Sequence, residues 1–226
     1  MPVLITERKI KNKAMFGESV VVIENIRYPR FESETNGKLC KRMNDFYSSV
    51  AEKYSRFAKT KLFRRAKTNA RKYKLPIVLA MNYTVALCNK KAISVVLDLS
   101  MTNGNNMKTR RFSQMWGVEK KDMMSLSEVL FCENEAKNKI FDIVMEIAEN
   151  NAKNTAFGYF ENALEKLPKK IDMRNCFAAP SGMCFFVDAG ILSPVKYGAA
   201  NFVVPYDKLV GIIKRDFVEK EDEKLL

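Results

Sequence analysis

Ser193-Pro194-Val195-Lys196 sets a hydroxyl and an amine three residues apart. This is the S-x-x-K pattern, in which a serine that opens a helix is reached by a lysine one turn on. Gly198 and a strand-like Phe202 follow almost at once, and no S-D-N or K-T-G partner accompanies the pair; Lys108-Thr109-Arg110 lacks the glycine. Glycoside hydrolysis needs only two facing carboxylates, and the chain has 26 Asp and Glu. Asp98 and Asp188 lie in strand-like stretches, but at outward positions or strand ends where water solvates them. The chain contains no histidine. Ser-His-Asp and Cys-His catalysis are therefore excluded, and the usual zinc sites lose their nitrogen donor. The five cysteines (Cys40, Cys88, Cys132, Cys176, Cys184) form no C-x-x-C pair and read as reduced core residues. The densest acid cluster, Glu219 to Glu223, reads as a charged tail, and the nine glycines show no phosphate-loop spacing. Neither a cofactor nor a metal is expected.

What remains is charge. The formal net charge is +13, and residues 1–75 hold 19 Lys and Arg against 7 Asp and Glu. From Lys53 to Lys74 there are ten basic residues and no acid: Lys53, Arg56, Lys59, Lys61, Arg64, Arg65, Lys67, Arg71, Lys72 and Lys74. Tyr54, Phe57, Phe63 and Tyr73 are interleaved among them. Two readings stay open. One is the solvated face of a half-buried helix. The other is a surface that holds phosphates by charge, with rings for bases or lipid headgroups. No helix-turn-helix, RNP or zinc-finger pattern accompanies the run.

The periodicity supplies the elements that would position these groups. Val20 to Ile23 reads as a strand, with Tyr28-Pro29 breaking it into a turn or edge segment. A long helix starts near Asn36 and extends through Phe57 toward Lys72, ended by Leu75-Pro76. Leu39, Met43, Phe46, Val50, Tyr54 and Phe57 recur at helical steps as its buried stripe. Three alternating stretches follow: Tyr83, Val85 and Leu87, then Ile93 to Met101 in steps of two with one buried face, then Arg110, Phe112, Gln114 and Trp116 as the return strand. Their short connections imply an antiparallel meander. Ser125 and Glu128 make a capping box. Ala136 to Ala148 and Tyr159 to Leu167 fit two helices, the second closed by Pro168. Strands at 175–179, 183–188 and 201–204 precede a last helix from Tyr206 to Lys214. Phe185, Phe186, Phe202 and Tyr206 read as core, and Tyr197 with them.

The stretch from Phe177 through Pro180-Ser181-Gly182, Asp188-Ala189-Gly190 and Ser193-Pro194, with Tyr197 to Pro205-Tyr206, resembles a known domain. It is the C-terminal domain of unknown function in the extracellular part of RsiV-type anti-sigma factors, which also accompanies PdaC-type peptidoglycan deacetylases outside their catalytic domain. Tyr28-Pro29 with Met43-Asn44-Asp45-Phe46 is similar to the paired N-terminal domain, and Trp116 to Leu130 falls where the C-terminal domain begins. The family's Gly-Ala-His loop is replaced here by Asn103-Gly104-Asn105-Asn106. The resemblance implies a non-catalytic accessory module, usually extracytoplasmic.

The expectation is an α+β protein: a long helix on an antiparallel meander over residues 1–121, and helices on a small antiparallel sheet over residues 122–226. Its function is binding, to an unknown protein or anionic polymer, through a groove between lobes or the basic segment. The alternative is nucleic-acid or anionic-membrane binding through residues 53–74; a third is a hydrolase using carboxylates or Ser193 with Lys196. No membrane span and no signal peptide are read, which suggests the cytoplasm.

Overall fold

The computed structural model describes residues 3–69, 75–104 and 106–214. Contacts divide the chain into two units, Met1–Thr84 with Leu97–Arg111, and Val85–Val96 with Phe112–Leu226. Among the described residues, nine strands form a mixed six-stranded sheet, its strands neighbouring one another in chain order, and a separate three-stranded sheet. The α+β class expected from the sequence is what the chain adopts.

In the first unit, β1 (Leu4–Phe16) and β2 (Ser19–Glu32) pair antiparallel. The pair closes through a two-residue turn whose first residue, Gly17, has a φ of 60°. A side chain there would be strained, and this turn class prefers glycine at that position. β1 is an addition to the sequence reading. β2 also runs through Tyr28-Pro29 instead of breaking there. β3 (Ile77–Cys88) pairs with β2 only from Val22 to Ile26, so Pro29 owes no N–H to that neighbour. Asn44 supplies the missing partner further along: its amide accepts from Phe31 N at 2.8 Å and donates to Phe31 O at 2.9 Å.

The helix is the crossover that makes β2 and β3 parallel. It comprises α1 (Gly37–Phe57), a wide π turn over Ala58–Leu62, and α2 (Phe63–Asn69). Its buried stripe is Leu39, Met43, Tyr47, Ala51, Ser55, Ala58, Leu62 and Ala66. Phe46, Val50, Tyr54 and Phe57, expected at the centre of that stripe, are half-buried flanks. Small residues mark the true contact because they let the helix sit close to the strands. Ala58, Leu62 and Ala66 pack with Val21, Val22, Ile77 and Leu79. Leu39 and Ala66 lie about seven and a half α-helical turns apart, which would set them on opposite sides of a straight helix. The π turn takes up one extra residue and rotates the stripe back by about 100°.

β4 (Ala92–Asn103) and β5 (Asn106–Gly117) follow β3 through connections too short for crossovers, and β6 (Asp122–Met124) pairs antiparallel with β5. β4 differs from its expected single buried face: Ala92 to Leu97 are all buried.

In the second unit, β7 (Cys176–Ala179), β8 (Gly182–Val187) and β9 (Ala200–Pro205) form the antiparallel sheet. The free edge of β7 is satisfied by hydroxyls: Ser113 Oγ donates to Cys176 O at 2.6 Å, and Ala178 N donates to Ser94 Oγ at 3.1 Å. The helices are α3 (Leu126–Val129), α4 (Glu133–Ala152) and α5 (Ala163–Lys170). α4 buries Ala136, Ile140, Val144 and Ala148 in one core with Phe185, Phe202 and Leu209. α5 is not closed by Pro168, which lies within it, and Tyr159 and Phe160 precede it. The expected last helix is a single tight turn over Asp207–Leu209, with Ile213 then bridging to Leu130 as a short strand pairing. Val210, expected on its inner side, is 62% exposed.

The capping box at α3 forms as the sequence implied. Glu128 is held by the Lys120 ammonium and by the Ser125 backbone N–H, which lower its pKa to about 2 from an ordinary 4.5. The depressed value makes this contact fully stabilising above about pH 4.5 and progressively lost as the pH falls toward 2. Because the side chain is 45% exposed, solvent screens much of it. Glu128→Gln is therefore expected to cost about 0.5–1 kcal/mol near neutrality and to flatten the acid limb of the stability curve. A stability–pH profile in urea reads this, and an unchanged acid limb contradicts it.

Candidate anion-binding surface

The long helix buries one stripe against the strands, and its basic residues lie outside that stripe. Lys53, Arg56, Lys59, Lys61, Arg64, Arg65 and Lys67 are all exposed. Arg71, Lys72 and Lys74 lie outside the described residues. Lys53 to Lys67 spans about 21 Å of helix at 1.5 Å per residue. Among the described residues, none of the seven is in an ion pair with an acid. Lys67 Nζ instead sits 5.1 Å from the ring centroid of Phe16, next to the β1–β2 turn. The interleaved rings do not form a stacking platform. Tyr54, Phe57 and Phe63 are half-buried against the core beneath the helix, and Tyr73 is outside the described residues.

The groups considered for catalysis are dispersed. Ser193 is buried and precedes a single tight turn, Val195–Tyr197, not a helix. Lys196 Nζ lies 5.1 Å from the Tyr197 ring centroid. Asp98 is committed to Arg111 through two hydrogen bonds of 2.8 Å. Asp188 follows the end of β8 and is half-buried. Phe185, Phe186 and Phe202 are core as expected, and Tyr206 donates its hydroxyl to Ala179 O at 2.9 Å, burial raising its pKa to about 12. Tyr197, read as core, is 46% exposed. Cys40, Cys176 and Cys184 are buried, while Cys88 and Cys132, also expected inside, are exposed; burial pushes the Cys176 thiol up to about 12. The five are free. Among the described residues no cluster of three Cys, Asp or Glu side chains could hold a metal.

Two clefts of the second unit were open to either chemistry. One, of about 180 Å³, is lined by Glu119 and Glu128 with Lys91, Lys120 and Lys214. With its pKa near 2, Glu128 stays ionised at neutral pH and cannot donate a proton there. The other, of about 400 Å³, is lined by Met115, Met123, Met124, Ser113, Arg174 and Cys176, with Glu128 as its carboxylate.

One buried group escaped the sequence reading. Glu24 is 2% exposed on the face of β2 that also carries Val22 and Ile26, the face the helix covers. Its Oε2 accepts from Asn12 Nδ2 at 2.9 Å, and its Oε1 has no partner. Only the alternation Val22-Glu24-Ile26 could have signalled it. An unpartnered buried oxygen is costly. Glu24→Met keeps the length of the side chain and removes that oxygen, and is expected to stabilise the fold by about 1–2 kcal/mol. The midpoint of urea unfolding checks this; a midpoint that falls contradicts it.

No protein-family model matches the sequence, and no curated protein matches it. Solved structures do. A member of the DUF3298 family from Bacteroides fragilis NCTC 9343 superposes with a TM-score of 0.70 at 12% identity, covering 95% of this chain and 94% of that one. A DUF3298 family protein from Pseudomonas aeruginosa PAO1 superposes with a TM-score of 0.61 at 14% identity, covering 96% of each chain. Identities this low show likeness of fold alone, and the fold is that of DUF3298 proteins along nearly the whole chain.

Proposed function

We propose that this protein is a non-catalytic binding module whose long helix presents a basic face to an anionic partner. One observation carries the reading: seven exposed Lys and Arg side chains on one helix, none neutralised by a neighbouring acid among the described residues. A solvated face normally interleaves both signs, whereas this one repels itself and gains by meeting negative charge. The dispersal of the groups considered for catalysis supports binding over turnover. So does the resemblance of the C-terminal strands to the accessory domains of RsiV-type and PdaC-type proteins, together with the DUF3298 fold.

The test is binding to a single-stranded oligonucleotide, used as a generic polyanion, by fluorescence anisotropy over a salt series. About four phosphate contacts predict a slope of log K against log salt near −3, so affinity falls about 50-fold from ~50 to ~200 mM salt. Absence of binding at ~20 mM salt overturns the reading.

A further inference from the structure

The anionic partner can be narrowed from what lies beside the basic face. At the end of β1 the pairing register shifts between Ala14, opposite Val22, and Met15, opposite Val20, so Val21 on β2 is the extra residue of a bulge. Met15 and Phe16 then stand out of the hairpin tip, 48% and 42% exposed. Ala14, just before them, packs on the core beneath the helix, and Lys67 lies over the Phe16 ring. The tip is thus fixed alongside α2, where Arg64 is one turn from Lys67. Lys11 and Lys13 are exposed on the same strand, and Glu18 is the one acid of the turn.

We propose that the hairpin tip and the basic helix face together dock on an anionic phospholipid surface, with Met15 and Phe16 entering the headgroup–acyl boundary and the helix lysines and arginines meeting lipid phosphates. This rests on the basic face being a binding surface at all. The geometry favours lipid over nucleic acid for two reasons. The helix rings that would stack bases are half-buried in the core, so a strand would find charge without a platform. The helix also cannot insert, because its apolar stripe is already covered by β2 and β3, so a bilayer would need a separate apolar element, and the hairpin tip is one. No described helix is long and apolar enough to cross a membrane, and peripheral attachment requires none.

The test pairs two variants against two probes. Wild-type protein, Met15→Ser/Phe16→Ser and Arg56→Glu/Arg64→Glu are each measured by co-sedimentation with vesicles of about 30% phosphatidylserine in phosphatidylcholine, and by anisotropy with a single-stranded oligonucleotide. Thermal unfolding confirms that each variant is folded. The hairpin variant is expected to lose about 20-fold in vesicle affinity and to keep oligonucleotide affinity within about twofold. The charge variant is expected to lose both. Vesicle binding unchanged in the hairpin variant but lost in the charge variant overturns the lipid assignment and leaves the anion-binding reading standing. A hairpin variant that weakens the oligonucleotide as much as the vesicles points to nucleic acid and overturns it too. A charge variant that binds both probes like wild type overturns both proposals.

Discussion

Arg56→Glu with Arg64→Glu is expected to weaken polyanion binding at least 30-fold at ~50 mM salt and to bring the salt slope from about −3 to nearer −1. Each substitution removes one phosphate contact and adds a repulsive charge in the middle of the basic face. The two positions lie outside the buried stripe of the helix, and both are exposed. Folding should be untouched: neither side chain belongs to the core, and glutamate is a strong helix former. The unfolding midpoint should therefore stay within about 2 °C of wild type, since exposed substitutions change stability by less than about 0.5 kcal/mol. A matched control separates local surface from net charge. Lys169→Glu with Lys170→Glu changes the formal charge equally, at exposed positions near the end of α5 in the second unit. That control is expected to weaken binding less than about threefold, because it leaves all seven cations of the helix in place and each phosphate contact is local. Equal losses in the two variants would mean that the protein attracts anions by overall charge, with no dedicated surface.

Gly182→Ala should be the most damaging small substitution in the second unit. Gly182 opens β8, pairing with Ala179 on one side and Pro205 on the other. A Cβ there would lie 2.1 Å from Val204 O, 2.8 Å from its carbonyl carbon and 2.9 Å from Pro205 Cα. All three are backbone atoms of β9, so no side chain can swing aside. Relief requires β8 and β9 to part where Met183, Phe185, Phe202 and Val204 fill the core. The expected cost is about 3 kcal/mol or more, by the overpacking and cavity terms that such a separation brings together. Urea unfolding measures it. Gly37→Ala provides the contrast, since the added methyl at the start of α1 meets nothing within 4 Å. That change should be neutral or stabilising by up to about 1 kcal/mol. Similar midpoints for the two variants would contradict the close approach of β8 and β9.

The parts of the fold that could be anticipated are those where one face is buried and the other wet. α4 shows its face at Ala136, Ile140, Val144 and Ala148, and the β7–β8 hairpin shows its turn at Pro180-Ser181-Gly182. β1 could not be seen because most of its positions on both faces are exposed. An edge strand of that kind takes its order from β2's hydrogen bonds and not from an apolar face, so its side chains carry no alternation. The long helix was visible, but its contact stripe was misplaced. Large apolar residues drew the eye to Phe46, Val50 and Tyr54, while close packing chose Ala51, Ser55 and Ala58. The π turn also shifts the phase of the helix, which a fixed helical step cannot follow. The apparent helix after Tyr206 failed because Leu209 and Ile213 are buried separately, by a tight turn and by a bridge to Leu130. For the site, composition alone exposed the basic run. Its neighbours were hidden: the Met15–Phe16 tip ends an edge strand that carries no alternation, and Glu24 depends on which face of β2 the helix covers.

Backbone amide shifts recorded while a short polyanion is titrated into the labelled protein at low salt would test the basic helix face as the contact surface most directly. The largest perturbations should fall between residues 53 and 67 and fade as salt is raised. Shifts that spare this helix and gather on the β7–β9 sheet or around Glu119 and Lys120 would place binding elsewhere and leave the helix a merely hydrated face.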